Sequence, residues 1–138
     1  MKKILVPGLA AGIAMFVVMM AISMVFAVVF PELNTEYNSA VFRSIGDPLS
    51  YYMFLHPILV GLLLAIVWQN TQGIMKEKKP GKKGTMFGFY IWLILGIPGM
   101  LMSLSSFNLS VLIVLSWTVS ILFQYLTAGI VFAYMDKK

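Results

Sequence analysis

Four long stretches of apolar residues, separated by short polar segments, dominate the pattern along this chain. They run over about residues 4–30, 49–70, 86–106 and 109–135. Each reaches the roughly 20 residues that a helix needs to cross a hydrocarbon core of about 30 Å. None has an Asp, Glu, Lys or Arg in its interior, and none alternates like a barrel strand. The pattern therefore predicts an all-α, polytopic membrane protein: a single domain with four transmembrane helices.

The composition favours lipid rather than water as the surrounding solvent. Of the 138 residues, 60% are hydrophobic and only 11% are charged, whereas a soluble domain has roughly a quarter charged residues. The net charge of +5 does not indicate a nucleic-acid partner, because the basic residues lie at the ends of apolar stretches, where they orient helices. The sequence has no cysteine, which excludes disulfides, thiolate metal sites and iron–sulfur clusters.

The distribution of the lysines predicts how the helices are oriented across the membrane. Pairs of lysines stand at residues 2–3 and 137–138, and five more lie in the loop of residues 71–85. In an up-down-up-down antiparallel bundle all of them fall on one side, which leaves Arg43 alone among basic residues in the outer loop, 31–48. The positive-inside rule then places both termini and the lysine-rich loop on the cytoplasmic side of the cell membrane.

The first apolar stretch has an alternative interpretation as a cleaved signal peptide. Two lysines precede it, and Val25–Phe26–Ala27 resembles a cleavage site. Because the apolar run is longer than a typical signal core, we favour a transmembrane helix.

Local signals indicate where the helices begin. Asp47 can cap a helix whose first residue is Pro48, although helix 2 would start only at Pro57 if residues 49–55 lie along the interface. Apolar residues within 40–45 suggest a short turn of interfacial helix in the outer loop. The connection between helices 3 and 4 is predicted to be Phe107–Asn108, with Asn108 as the cap of helix 4.

Small residues recur four apart in three of the predicted helices. In lipid, helices approach closely at such positions. We expect this to pack the bundle internally, and the alternative is a face for a second copy or a partner membrane protein. The pairs are Gly8 and Gly12, Gly61 and Ala65, and Gly84 and Gly88.

A candidate ligand site surrounds His56, which is the only histidine and precedes Pro57. Counting equal depth along each helix from the outer side predicts a layer with Tyr52 at its mouth. The members of this layer are His56, Ser23, Gly99, Ser116 and Trp117. Such a layer can line an outward-facing pocket. The alternative is a structural histidine bonded to a neighbouring helix, or a surface histidine if helix 2 begins at Pro57.

Helix 4 also carries a polar stripe at spacings of four, four and three residues, and therefore on one face. Its members are Ser116, Ser120, Gln124 and Thr127. An amide facing lipid without a partner is costly, so we expect this face to point inward and bond across helices, or else to border a polar path.

These features favour a non-enzymatic role without a metal or cofactor. Coupled transporters usually carry an intramembrane acidic residue, and hydrolysis that depends on a side-chain acid needs one within the membrane. The apolar stretches contain no acidic residue. Bis-histidine haem binding within one chain needs two histidines, and the sequence has one. We expect binding of a lipid-like or apolar ligand, or membership of a membrane complex as an accessory subunit, with membrane lipids and a homo-oligomer or partner membrane protein as partners. The alternative is an oligomeric channel or facilitator for a small neutral solute.

Overall fold

The computed structural model describes residues 2–44 and 46–136, and the regular structure within them is entirely helical. Four helical segments are long and apolar enough to cross a membrane: Lys2–Val29, Pro48–Ile74, Pro80–Ser106 and Val111–Met135. The predicted all-α fold with four such helices is therefore confirmed.

Six α-helices account for these segments and their connections in the described part of the chain. They are α1 (Lys2–Val29), α2 (Glu32–Tyr37), α3 (Tyr52–Thr71), α4 (Pro80–Ile91), α5 (Ile97–Ser106) and α6 (Val111–Met135). A 3₁₀ turn, Pro48–Tyr51, leads into α3, and a π-helical segment, Trp92–Gly96, joins α4 to α5.

Glycines bring α1 and α3 into backbone contact. A Cβ atom built on Gly61 would lie 2.5 Å from the Gly8 carbonyl oxygen and 2.7 Å from the Cα of Gly12. Further along, the rings of Phe16 and Phe54 meet with centroids 6.0 Å apart. Residue numbers thus rise along α1 as they fall along α3. The predicted use of these small residues for packing inside the bundle is confirmed.

Close backbone contact at glycines also joins α4 to α6. A Cβ atom at Gly84 would collide with the carbonyl oxygen of Gly129, and one at Gly88 with that of Tyr125. Side chains larger than hydrogen would therefore push these two helices apart.

The core is concentrated at one end of the bundle. We call this the lysine end, because α3 ends there and the segment from Lys76 to Lys83 follows. We call the opposite end, with residues 30–44, 46–48 and 107–110, the loop end. The main core cluster includes Met15, Leu64, Trp68, Phe87, Ala128 and Phe132. A smaller cluster at the loop end joins Leu33 to Ile113 and Val114.

Two starts were predicted for the second long segment, Pro48 and Pro57, and the structure has the first. Asp47 has extended backbone angles and its side chain accepts a hydrogen bond from the Leu49 N–H at 2.9 Å. Pro48 opens the 3₁₀ turn, and the α-helix begins at Tyr52. The helix therefore starts before Pro57, not at it.

Two details of the loop end differ from the sequence-based expectations. The cap of α6 is Ser110 rather than Asn108, since the Ser110 hydroxyl accepts from the Ile113 N–H at 3.2 Å. The connection is therefore residues 107–110. The short helix of this loop is α2, at Glu32–Tyr37, whereas residues 40–42 form turns and a bend and residues 43–44 are irregular. Ile45 lies outside the described residues.

Helix α4 also begins earlier than the apolar pattern indicates. Lys79 has extended backbone angles and Pro80 is the first helical residue, a position that suits proline because no N–H is needed there. Lys82 and Lys83 are consequently helical, and the irregular part of the lysine-rich loop is short.

Candidate functional site

A narrow cleft separates α5 and the preceding π-helical segment from α6 near the loop end. Its volume is about 120 Å³, similar to the roughly 150 Å³ of an engineered apolar cavity that binds benzene. It is lined by Leu95, Gly96, Gly99, Met100 and Ser103 on one side and by Val114, Trp117, Thr118 and Ile121 on the other. The lining is predominantly apolar.

The cleft lies where the third segment changes its helical geometry. Pro98 is the second residue of α5, directly after this change. Proline lacks the N–H of a regular helix and its ring clashes with the carbonyl four residues earlier, and for Pro98 that is the carbonyl of Ile94 within the π-helical segment. Trp92 donates its indole N–H to the Thr118 carbonyl oxygen at 3.0 Å, which ties this segment to α6. Beyond it, a Cβ atom on Gly99 would meet nothing within 4 Å. The two helices have therefore separated at this level.

Only one hydroxyl in the cleft is left for a ligand. Thr118 Oγ1 donates to the carbonyl oxygen of Val114 at 2.8 Å. The Trp117 indole N–H donates to the Tyr37 hydroxyl at 2.6 Å. The Ser103 hydroxyl has no hydrogen-bond partner among the described residues, so it is the group that a bound molecule can engage.

The outer loop holds the mouth of the cleft in place. Glu36 of α2 accepts hydrogen bonds from the N–H and the hydroxyl of Ser110, the N-cap of α6. The Phe42 ring packs edge-on against Trp117, with centroids 6.0 Å apart. Together with the Tyr37 bond, these contacts fix the Trp117 ring between the loop and the cleft.

The structure brings two of the predicted site residues together. Gly99 and Trp117 both line the cleft. Ser116 is buried beside them on α6, but its hydroxyl donates to the Ile113 carbonyl oxygen at 2.7 Å and Ser116 does not line the cleft. Tyr52 is 64% exposed and does not lie at its mouth.

His56 and Ser23 are both exposed and lie in different layers. Phe54 is level with Phe16, and Ser23 lies seven residues beyond Phe16 toward the loop end. His56 lies two residues from Phe54 in the opposite direction, so the two side chains are separated by roughly 13 Å along the bundle. The prediction that His56 and Ser23 share a layer assumed that residues equally far from the ends of their helices lie at equal depth. It is wrong because α3 is displaced toward the lysine end relative to α1.

The polar stripe of α6 points into the bundle, as expected, but its bonds stay within the helix. Ser116, Ser120 and Gln124 are buried. The Gln124 side-chain amide donates to the Ser120 hydroxyl at 3.1 Å, and Thr127, which is half-buried, donates to the Phe123 carbonyl oxygen at 2.8 Å. The expected bonding across helices is therefore replaced by bonds one turn apart.

The lysine end contains a buried tryptophan that the apolar pattern did not reveal. Trp68 packs edge-on against Phe87 and tilted against Phe132, with centroids 5.1 and 6.1 Å away. Its indole N–H donates to Asp136 at 3.3 Å, and the Lys83 ammonium lies 5.6 Å from the ring centroid. A tryptophan at the end of an apolar stretch is typical of an interfacial anchor, and only the convergence of three helices makes this one a core residue.

The described residues hold no group of three or more His, Cys, Asp or Glu side chains that could bind a metal ion. No protein-family model, curated protein or solved structure matches this chain.

Proposed function

We propose that this protein spans the cell membrane with its four long segments in up-down-up-down order, with both termini and the lysine-rich segment in the cytoplasm. The apolar lengths of the segments and the positions of the lysines support this placement.

Cysteine reporters test the placement directly, because the natural chain has no cysteine. A membrane-impermeant thiol reagent is expected to label Thr35→Cys from outside intact cells and Lys79→Cys only after the membrane is opened. Labelling of both from the same side would contradict the four-span arrangement.

Within that arrangement, we propose that the protein binds the alkyl chain of a lipid or another apolar molecule, without chemistry, in the cleft between α5 and α6. The observation that carries the proposal is the separation of these helices at Gly99, which leaves about 120 Å³ lined mainly by apolar side chains. Its lining, mostly apolar with a few polar groups, is like that of small-molecule sites, and its smaller volume suits a short length of alkyl chain rather than a drug-sized ligand. An accessory role in a larger complex is compatible with the same cleft if the bound chain lies at a subunit boundary.

A substitution that fills the cleft tests this proposal. A Cβ atom meets nothing within 4 Å at either Gly99 or Gly73, so Gly99→Leu and Gly73→Leu are matched in steric tolerance but only the first occupies the cleft. Crosslinking of a photoactivatable fatty acid to peptides of α5 and α6 is expected to fall several-fold in Gly99→Leu and to stay unchanged in Gly73→Leu. Equal crosslinking in both variants would contradict a binding cleft.

The second candidate is a channel or facilitator for a small neutral solute, formed by several copies around Gln124. The buried polar stripe motivates it. However, Gln124 is only 4% exposed within a single chain, so it faces the chain's own helices rather than a shared central pore. Solute flux in liposomes that Gln124→Leu abolishes would favour the channel over the binding protein.

A further inference from the structure

His56 lies on the side of α3 that is turned away from the rest of the bundle. Gly61 and Trp68 mark the packed side of this helix and are buried, whereas His56, Leu59 and Leu63 are exposed. The imidazole makes no hydrogen bond to any described residue. The single histidine of the chain is thus presented outward.

This position lies inside the apolar length of the segment. His56 is eight residues, or about 12 Å, from Pro48 along the helix. In a membrane, hydrocarbon offers an imidazole neither a donor nor an acceptor, so polar side chains at such depth usually face another helix.

We propose that α3 pairs with the α3 of a second copy of this chain, and that the two His56 side chains hydrogen-bond to each other across the interface. A two-fold axis along the membrane normal places equivalent residues at equal depth, so a second copy necessarily brings a polar group to the level of His56. A neutral imidazole has one donor and one acceptor, so one ring can donate to the other. The inference rests on the membrane placement proposed above.

The neighbouring residues fit such a pair. Exposed positions on this side of α3 follow one another at alternating spacings of four and three residues, the repeat along which two helices pack in a left-handed pair. They are Tyr52, His56, Leu59, Leu63, Ile66 and Asn70. The hydrogen-bonding complementarity of His56 with its own copy distinguishes this face from one that contacts lipid alone.

Single cysteines test the interface without altering His56. Leu59 on α3 and Ile13 on α1 are both 58% exposed, and contacts between the helices place them at similar depth. In liposomes at low protein density, Leu59→Cys is expected to form disulfide-linked dimers about tenfold faster than Ile13→Cys, because only Leu59 faces its own copy. Equal rates at the two positions, or no dimer at Leu59, would overturn the proposal.

The role of the imidazole is tested by His56→Leu and His56→Asn. Counting subunits by single-molecule photobleaching in liposomes is expected to show association weakened about tenfold by leucine and largely retained by asparagine, which keeps a donor and an acceptor. Unchanged association of His56→Leu would overturn the pairing. His56 has no hydrogen-bond partner among the described residues, so unchanged circular dichroism is the folding control. If Thr35→Cys and Lys79→Cys report the four-span arrangement while the protein stays monomeric, this inference fails and the membrane placement stands.

Discussion

Glu36 and Ser110 are joined by two hydrogen bonds although they are 74 residues apart in the chain. The Ser110 N–H donates to one carboxylate oxygen of Glu36 at 2.7 Å, and its hydroxyl donates to the other at 2.5 Å. A carboxylate at the start of α6 satisfies a free N–H and interacts favourably with the helix dipole. The loop that contains α2 is thereby fixed to the N-cap of α6, next to the mouth of the cleft.

Glu36→Ala is expected to loosen this attachment. Loss of two hydrogen bonds to a charged group, reduced by their exposure to water, should lower the free energy of unfolding by about 1–2 kcal/mol. Hydrogen exchange at Ser110 and Ile113 should rise in the same variant. Glu32→Ala is the control, since Glu32 is exposed on the same short helix. An equal effect of both changes would contradict the role assigned to Glu36.

Gly84→Ala is expected to separate α4 from α6. Its methyl group would collide with the Gly129 backbone, which cannot move as a flexible side chain can, so the cost should be about 1–3 kcal/mol. Gly99→Ala has open space at the new methyl group and should be neutral or stabilising by up to about 1 kcal/mol. Thermal unfolding in detergent, followed by circular dichroism, measures both. Similar midpoints for the two variants would refute the close approach.

Trp68→Ala is expected to disrupt the core at the lysine end. The side chain is 2% exposed, and truncating a buried tryptophan costs about 3–5 kcal/mol. Tyr52→Ala removes a large aromatic side chain from the same helix at a position that is 64% exposed, and should change stability by less than about 0.5 kcal/mol. Comparison of their unfolding midpoints distinguishes the core tryptophan from an interfacial one.

The helix start at Pro48 is expected to depend on pH. The Leu49 N–H, and then Arg43, which lies 2.7 Å from the carboxylate, hold the pKa of Asp47 below its ordinary value. A lowered pKa means that the cap contributes above the unfolded-state pKa and is lost as the pH falls through the folded-state pKa. The Leu49 amide signal in NMR should therefore titrate with a midpoint below that of a free aspartate. Arg43→Gln should raise this midpoint only in part, because the Leu49 bond, the larger cause, remains.

The sequence by itself determined the parts of this protein that depend on neighbouring residues. Four uninterrupted apolar stretches are sufficient for four long helices, because each helix satisfies its own backbone. Asp47 and Pro48 define the start of the second long segment, as its cap and its first helical residue. The glycines four apart indicated where backbones would meet, although not which helix each would contact.

The tertiary structure alone decided how far each helix is displaced along its neighbours. The contact of Gly61 with Gly8 and Gly12 sets the level of α3 against α1, and this displacement removes His56 from the layer of Ser23. His56 faces outward because Gly61 and Trp68, on the opposite side of α3, are buried. The bond between Glu36 and Ser110 and the burial of Trp68 likewise join residues from distant parts of the chain. Local patterns act over one or two helical turns, whereas the packing of one helix surface against another fixes these relationships.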